Sequence, residues 1–109
     1  MIKIADIFGE SLNTRFYGAS LKDLIMKEYN NDNQVILDFN NVKSISQSFA
    51  DQCFGIIVAE IGLESFQKKF KIINIKDNIA KMIKYVALKR ADKIAVKSNS
   101  NKTKTRKVG

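Results

Sequence analysis

Histidine is absent from the 109 residues, and cysteine occurs once, at Cys53. The first absence removes the commonest metal ligand and the commonest general base, which argues against most hydrolytic enzymes. The second excludes an internal disulfide. Glycine is also scarce: Gly9, Gly18, Gly55, Gly62 and Gly109 are too scattered to line a phosphate with consecutive backbone amides. Neither GxGxxG nor the GxxxxGK phosphate loop occurs, and HExxH and CxxC are missing as well. A non-enzymatic protein with no cofactor and no metal is therefore expected. No apolar run approaches the roughly 18–20 residues that span a bilayer, and the opening MIKIADIFGE has neither the basic region nor the apolar stretch of a secretion signal. These absences point to a cytoplasmic chain without membrane contact.

What is present fits an ordinary globular domain. Hydrophobic residues make up 45% and charged residues 28% of the chain, enough apolar material for a packed core and not the charge-dominated balance of a disordered one. At 109 residues there is room for one core. The net charge of +8 is unevenly placed, because Lys97, Lys102, Lys104, Arg106 and Lys107 supply five positive charges within KSNSNKTKTRKVG, which contains no acid. The basic character describes a tail more than a folded surface. A domain over residues 1–91 and a basic, disordered tail over 92–109 are expected.

Periodicity orders the elements. Met1 to Ile4 reads as a short first strand, followed by a loop rich in Gly9, Glu10, Ser11, Asn13 and Thr14, with room for an extra strand or hairpin between Ala5 and Thr14. Tyr17, Leu21, Leu24 and Ile25 recur at helical spacing, which predicts an amphipathic helix from Arg15 to about Tyr29, ended by the polar turn Asn30-Asn31-Asp32-Asn33. Val35 to Phe39 is a nearly unbroken apolar run, the pattern of a central strand covered on both faces. A second helix should open near Ser48, whose spacing to Asp51 fits a capping box, and close at Gly62. Phe70 to Ile75 is the third strand, and Ile79, Met82, Ile83, Val86 and Ala87 form the face of a third helix, with Asp77 placed to cap it. The resulting order, β-α-β-α-β-α, indicates an α/β fold: a small, mostly parallel sheet with right-handed helical crossovers.

Chemistry has few places to sit. Cys53 lies in the apolar stripe of the second helix and reads as an inert buried thiol. Asp38 and Asp51 fall near one end of the sheet without pairing as acid and base. At about 100° per residue, Ala50, Cys53, Phe54, Ile57, Val58 and Ile61 share one stripe, whereas Phe49 and Ile56 point away from it. Either the first or third helix covers that pair, or it forms an apolar patch beside Ser46 and Ser48 for another protein.

The segment VILDFNNVKSISQSFADQCFGIIVAEIG (residues 35–62) resembles the central unit of STAS domains, found in anti-sigma factor antagonists and sulfate-transporter tails. In the antagonists a strand ending in an LDL-like triplet leads through a short loop to a helix opening with Asp-Ser-Ser-Gly, where a serine is phosphorylated. Here Leu37-Asp38-Phe39 matches the strand end, Val42 the loop hydrophobe, and Ser46-Gln47-Ser48 falls on Asp-Ser-Ser, with Phe49 in place of the glycine. The ISQSFAD string and the order helix, LDF strand, helix look like a bacterial STAS-like family of unknown function. The resemblance implies a STAS-like fold, phosphoacceptor candidates at Ser48 and Ser46, and a partner that is an ATP-binding kinase-like regulator or an anti-sigma factor.

Two functions are weighed. The first is a regulatory protein-interaction module gripping its partner through Lys43, Ser44, Gln47, Phe49, Gln52 and Ile56. A phosphate at the start of the second helix would lie at the positive end of its dipole and add charge that must be desolvated on docking. The rival is a small nucleic-acid-associated protein using Lys81, Lys84, Lys89, Arg90 and the basic tail as a phosphate-contacting stripe. The tail has no aromatic residue to stack on bases and no apolar face to enter a membrane. Its lysines could meet nucleic acid, anionic lipid or an acidic partner, but keeping the protein soluble is the leading reading.

Overall fold

The structure, a computed structural model, describes residues 1–30 and 34–106, with side chains as far as residue 92. Most of the expected asparagine-rich turn, and the lysine side chains of the tail, lie outside the described residues. Three strands, β1 (Ile2–Lys3), β3 (Val35–Asp38) and β5 (Phe70–Ile73), form a parallel sheet in the order β1-β3-β5. Each connection between neighbours carries helix, the alternation expected from the sequence. The extra strand exists too: β2 (Ser11–Leu12) pairs in parallel with β4 (Ser44–Ile45) in a two-stranded ribbon. Ile4 does not end β1 but opens a short helix, α1 (Ile4–Phe8), which points its buried side chain into the core.

β3 is the sheet centre, and its two faces are buried unequally. Val35, Leu37 and Phe39 alternate into the core, in register with Ile2 of β1 and Phe70 of β5. The opposite face carries the half-buried Ile36 opposite the exposed Lys71, and Asp38 opposite the exposed Lys3. The second face is thus buried only in part, at Ile36, while Asp38 is buried. An apolar run and unequal burial are compatible because a lysine stem can shield a neighbouring isoleucine.

Helix α2 (Arg15–Asn30) starts where Thr14 Oγ1 accepts from the Tyr17 N–H at 3.1 Å. Its buried line is Gly18, Leu21 and Ile25, while Tyr17 and Leu24 lie at the margin, each 37% exposed. The middle helix is continuous but not uniform: α3 (Gln47–Ala50), a π turn over Asp51–Gly55, and α4 (Ile56–Ile61). In the π turn the Ile56 N–H reaches back five residues to the Asp51 carbonyl. Gly62, at φ +89°, ends α4 in a conformation that L side chains rarely adopt. A further helix, α5 (Leu63–Lys69), leads into β5.

Helix α6 (Asp77–Arg106) buries Ile79, Ile83, Val86 and Ala87. Asp77 is its first residue, not its cap, since the Lys76 carbonyl accepts from Ile79 and Ala80. An acid there still favours the helix dipole. Aromatic rings thread the core from β3 to α2: Phe39 to Phe54 (6.3 Å), Phe54 to Phe66 (6.2 Å), Phe66 to Phe70 (5.1 Å) and Phe70 to Tyr29 (5.9 Å). Among the described residues no helix is long and apolar enough to cross a membrane.

Candidate functional site

The turn into α3 is built on the β2–β4 ribbon. The N–H groups of Lys43 and Ser44 donate to the Glu10 carbonyl at 2.8 and 3.4 Å, and the Ser46 N–H donates to the Leu12 carbonyl at 2.9 Å. Ser46 then leaves the strand with extended backbone (φ −88°, ψ 160°), and its Oγ accepts from the Phe49 N–H at 3.1 Å. Ser46 is therefore the cap.

The expected capping box of Ser48 and Asp51 does not form. Ribbon pairing through Ile45 sets the helix start at Gln47, so Ser48 falls inside the first turn, half-buried. Asp51 turns instead to α6, accepting from Arg90 Nε at 3.2 Å and from the Arg90 NH2 group at 3.0 Å. Ser46→Ala should cost about 1 kcal/mol of stability. Ser48→Ala should stay within about 0.5 kcal/mol of the parent, as surface changes away from caps do. Urea unfolding of both variants checks this, and the opposite ranking would return the cap to Ser48.

Lys43, Ser44 and Gln47 are exposed, while Gln52 and Ile56 are half-buried. Lys43 Nζ lies 3.3 Å from Glu10 Oε1, and Gln52 Oε1 accepts from the Arg15 guanidinium at 3.5 Å. Phe49 has no accessible surface, which corrects its placement on the docking face. Helix α2 runs close against its backbone: a Cβ on Gly18 would stand 2.7 Å from the Phe49 carbonyl oxygen. No hydropathy pattern shows this, because a glycine carries the close approach.

The two carboxylates have separate structural work. Asp38 Oδ1 accepts from the Asn40 N–H at 2.9 Å and from Asn74 Nδ2 at 3.0 Å, joining the end of β3 to the turn after β5. Asn41 and Asn74 occupy left-handed backbone (φ 69° and 57°), which asparagine tolerates. The Asn74 side-chain bond, then the Asn40 amide, holds the Asp38 carboxyl below its ordinary value of 3.8. A lowered folded value means that this stabilisation is complete above pH 3.8 and is lost as pH falls through the folded value. Stability measured against pH should therefore drop less steeply below pH 3.8 in Asp38→Ala than in the parent. Parallel acid limbs would show that Asp38 is not the group responsible.

Cys53 is fully buried, and desolvation pushes its thiol well above the usual range, so it is no nucleophile at neutral pH. On α6, Lys81, Lys84 and Lys89 are exposed. Arg90, assigned to the same basic stripe, is committed to Asp51.

Ser48 and Gln47 also face a polar cavity of about 280 Å³, lined in addition by Arg15, Asp51, Val86, Lys89 and Arg90. Residue types alone left Arg15 out of the site. Its position at the start of α2, 33 residues before Ser48, placed it on no common element.

A family model described as a STAS-like domain of unknown function (DUF4325) matches residues 17–80, more than half of the chain, and the chain belongs to that family. No curated protein and no solved structure matches it.

Proposed function

Starting from membership of the STAS-like family, we propose that the chain is a non-enzymatic regulatory module that binds a protein partner at the turn into α3, switched by a phosphate on Ser48. The observation that carries this reading is the half-buried Ser48 in the first turn of a helix, lining an open polar cavity beside the exposed Gln47. Ser46 is the weaker acceptor, because its oxygen is engaged in the cap. An ATP-dependent kinase-like partner, or an anti-sigma factor, suits the family resemblance. Transfer of the terminal phosphoryl of ATP to Ser48 Oγ would release ADP and a proton and add nearly two negative charges to the docking face. Burying that charge against a partner costs more than a modest polar interface returns.

Affinity capture with the intact protein, Ser48→Ala, Ser48→Glu and the docking variant Lys43→Glu/Gln47→Arg tests the reading. A partner held by the intact and Ser48→Ala proteins but released by the other two supports it. Identical partner sets from all four would sink it. The rival nucleic-acid reading has less to draw on, since the basic segment KSNSNKTKTRKVG has no aromatic residue to stack on bases.

A further inference from the structure

Two helices bring three cations to the cavity beside Ser48. Arg15 comes from the first residue of α2, Lys89 and Arg90 from α6, and the one carboxylate in the lining is Asp51. Three positive groups against one negative group leave an excess of two positive charges. Arg90 is held rigidly by its two bonds to Asp51, and Gly55 makes space for them. A Cβ on Gly55 would stand 2.6 Å from Asp51 Oδ1 and 3.4 Å from both Cγ and Nε of Arg90. Asp51 and Gly55 are the first and last residues of the π turn, and both lie against the arginine. Arg15 and Lys89 have no acidic partner among the described residues. Arg15 meets only the Gln52 amide oxygen, at 3.5 Å, and Lys89 leans on the Tyr85 ring.

We propose that this cavity is a receptor for a phosphomonoester dianion, gripped by Arg15 and Lys89 and oriented by Arg90. A dianion offsets the surplus charge that a chloride or a carboxylate would only halve. Guanidinium groups match the spacing of phosphoryl oxygens and form strong charge-assisted hydrogen bonds with them. The predominantly polar lining suits an anion and not an apolar ligand.

The phosphate can arrive on a free small molecule or on Ser48, itself one of the lining residues. Only the second source rests on the switch reading above.

Two measurements on the full chain separate the sources. The first is titration of the unmodified protein with inorganic phosphate at constant ionic strength, followed through the amide resonances of Gln47 and Ser48. Saturable shifts are expected, displaced by sulfate but not by chloride. Loss of two charge-assisted contacts in Arg15→Gln/Lys89→Gln should weaken binding at least about tenfold. Both side chains are exposed, so this variant should unfold at the parent's temperature.

The second is phosphorus NMR of protein carrying phosphoserine at position 48. Its second ionisation should fall by about one unit below the ordinary value near 6 and return there in the double variant. Phosphate binding with an ordinary phosphoserine value assigns the cavity to a free ligand. A lowered phosphoserine value without phosphate binding assigns it to modified Ser48. An ordinary value and no saturable phosphate binding together overturn the receptor. If the cavity passes while Ser48→Glu still captures every partner, the switch reading alone has failed.

Discussion

Phe54→Ala is expected to lower the unfolding free energy by about 3–5 kcal/mol, the range for truncating a fully buried aromatic ring. Phe54 has no accessible surface and joins two ring contacts, to Phe39 of the β3 end at 6.3 Å and to Phe66 of α5 at 6.2 Å. Its loss leaves a void on both sides that neither the sheet nor α5 can close without moving the π turn. Small domains are stable by only about 5–15 kcal/mol, so the loss takes a large share of the total. Urea unfolding followed by circular dichroism reads the effect. A loss below about 1 kcal/mol, the level of a volume-conserving core swap, would mean that the ring is not packed as described.

Gly18→Leu should be the second most damaging change, and Gly18→Ala is a sign test. In an exposed helix interior, replacing glycine by alanine stabilises by about 1 kcal/mol. Here the new Cβ would stand 2.7 Å from the Phe49 carbonyl oxygen and 3.0 Å from Gln52 Cβ, and the nearer atom is backbone that cannot rotate aside. Overpacking of that kind costs about 1–3 kcal/mol, which outweighs the propensity gain. Gly18→Ala should therefore be destabilising, and Gly18→Leu should part α2 from the middle helix and expose Phe49. Thermal unfolding and quenching of phenylalanine-dependent core signals would register both. A stabilised Gly18→Ala protein would show that the two helices do not approach so closely.

Much of the fold was legible locally. The helical spacing of Leu21 and Ile25, the apolar run of Val35 to Phe39, the β-branched stretch opening at Phe70 and the stop at Gly62 each marked an element within about ten residues of chain. The STAS-like assignment rested on the same middle segment. The site was less legible. Ser48 and Asp51 had the right spacing for a capping box, but Ser46 took the role because β4 pairing with β2 set where the strand stopped. The wheel of 100° per residue placed Ile57 and Val58 in the core and left the half-buried Ile56 off the stripe, as observed, but it gave no sign of the π turn over Asp51–Gly55. Phe49, off the predicted stripe, is fully buried, and α2 approaches its backbone across a glycine that leaves no mark in a hydropathy pattern.

The amino-acid order by itself marked the three main strands and the buried faces of three helices and indicated that the strands run parallel, whereas the short helices α1 and α5 left no signal in it. Tertiary structure alone decided which charges meet. Periodicity is a property of neighbours a turn or two apart. The pairings of Asp38 with Asn74, of Asp51 with Arg90, and of Arg15 with the Ser48 cavity join residues more than thirty positions apart, and only packing brings them together.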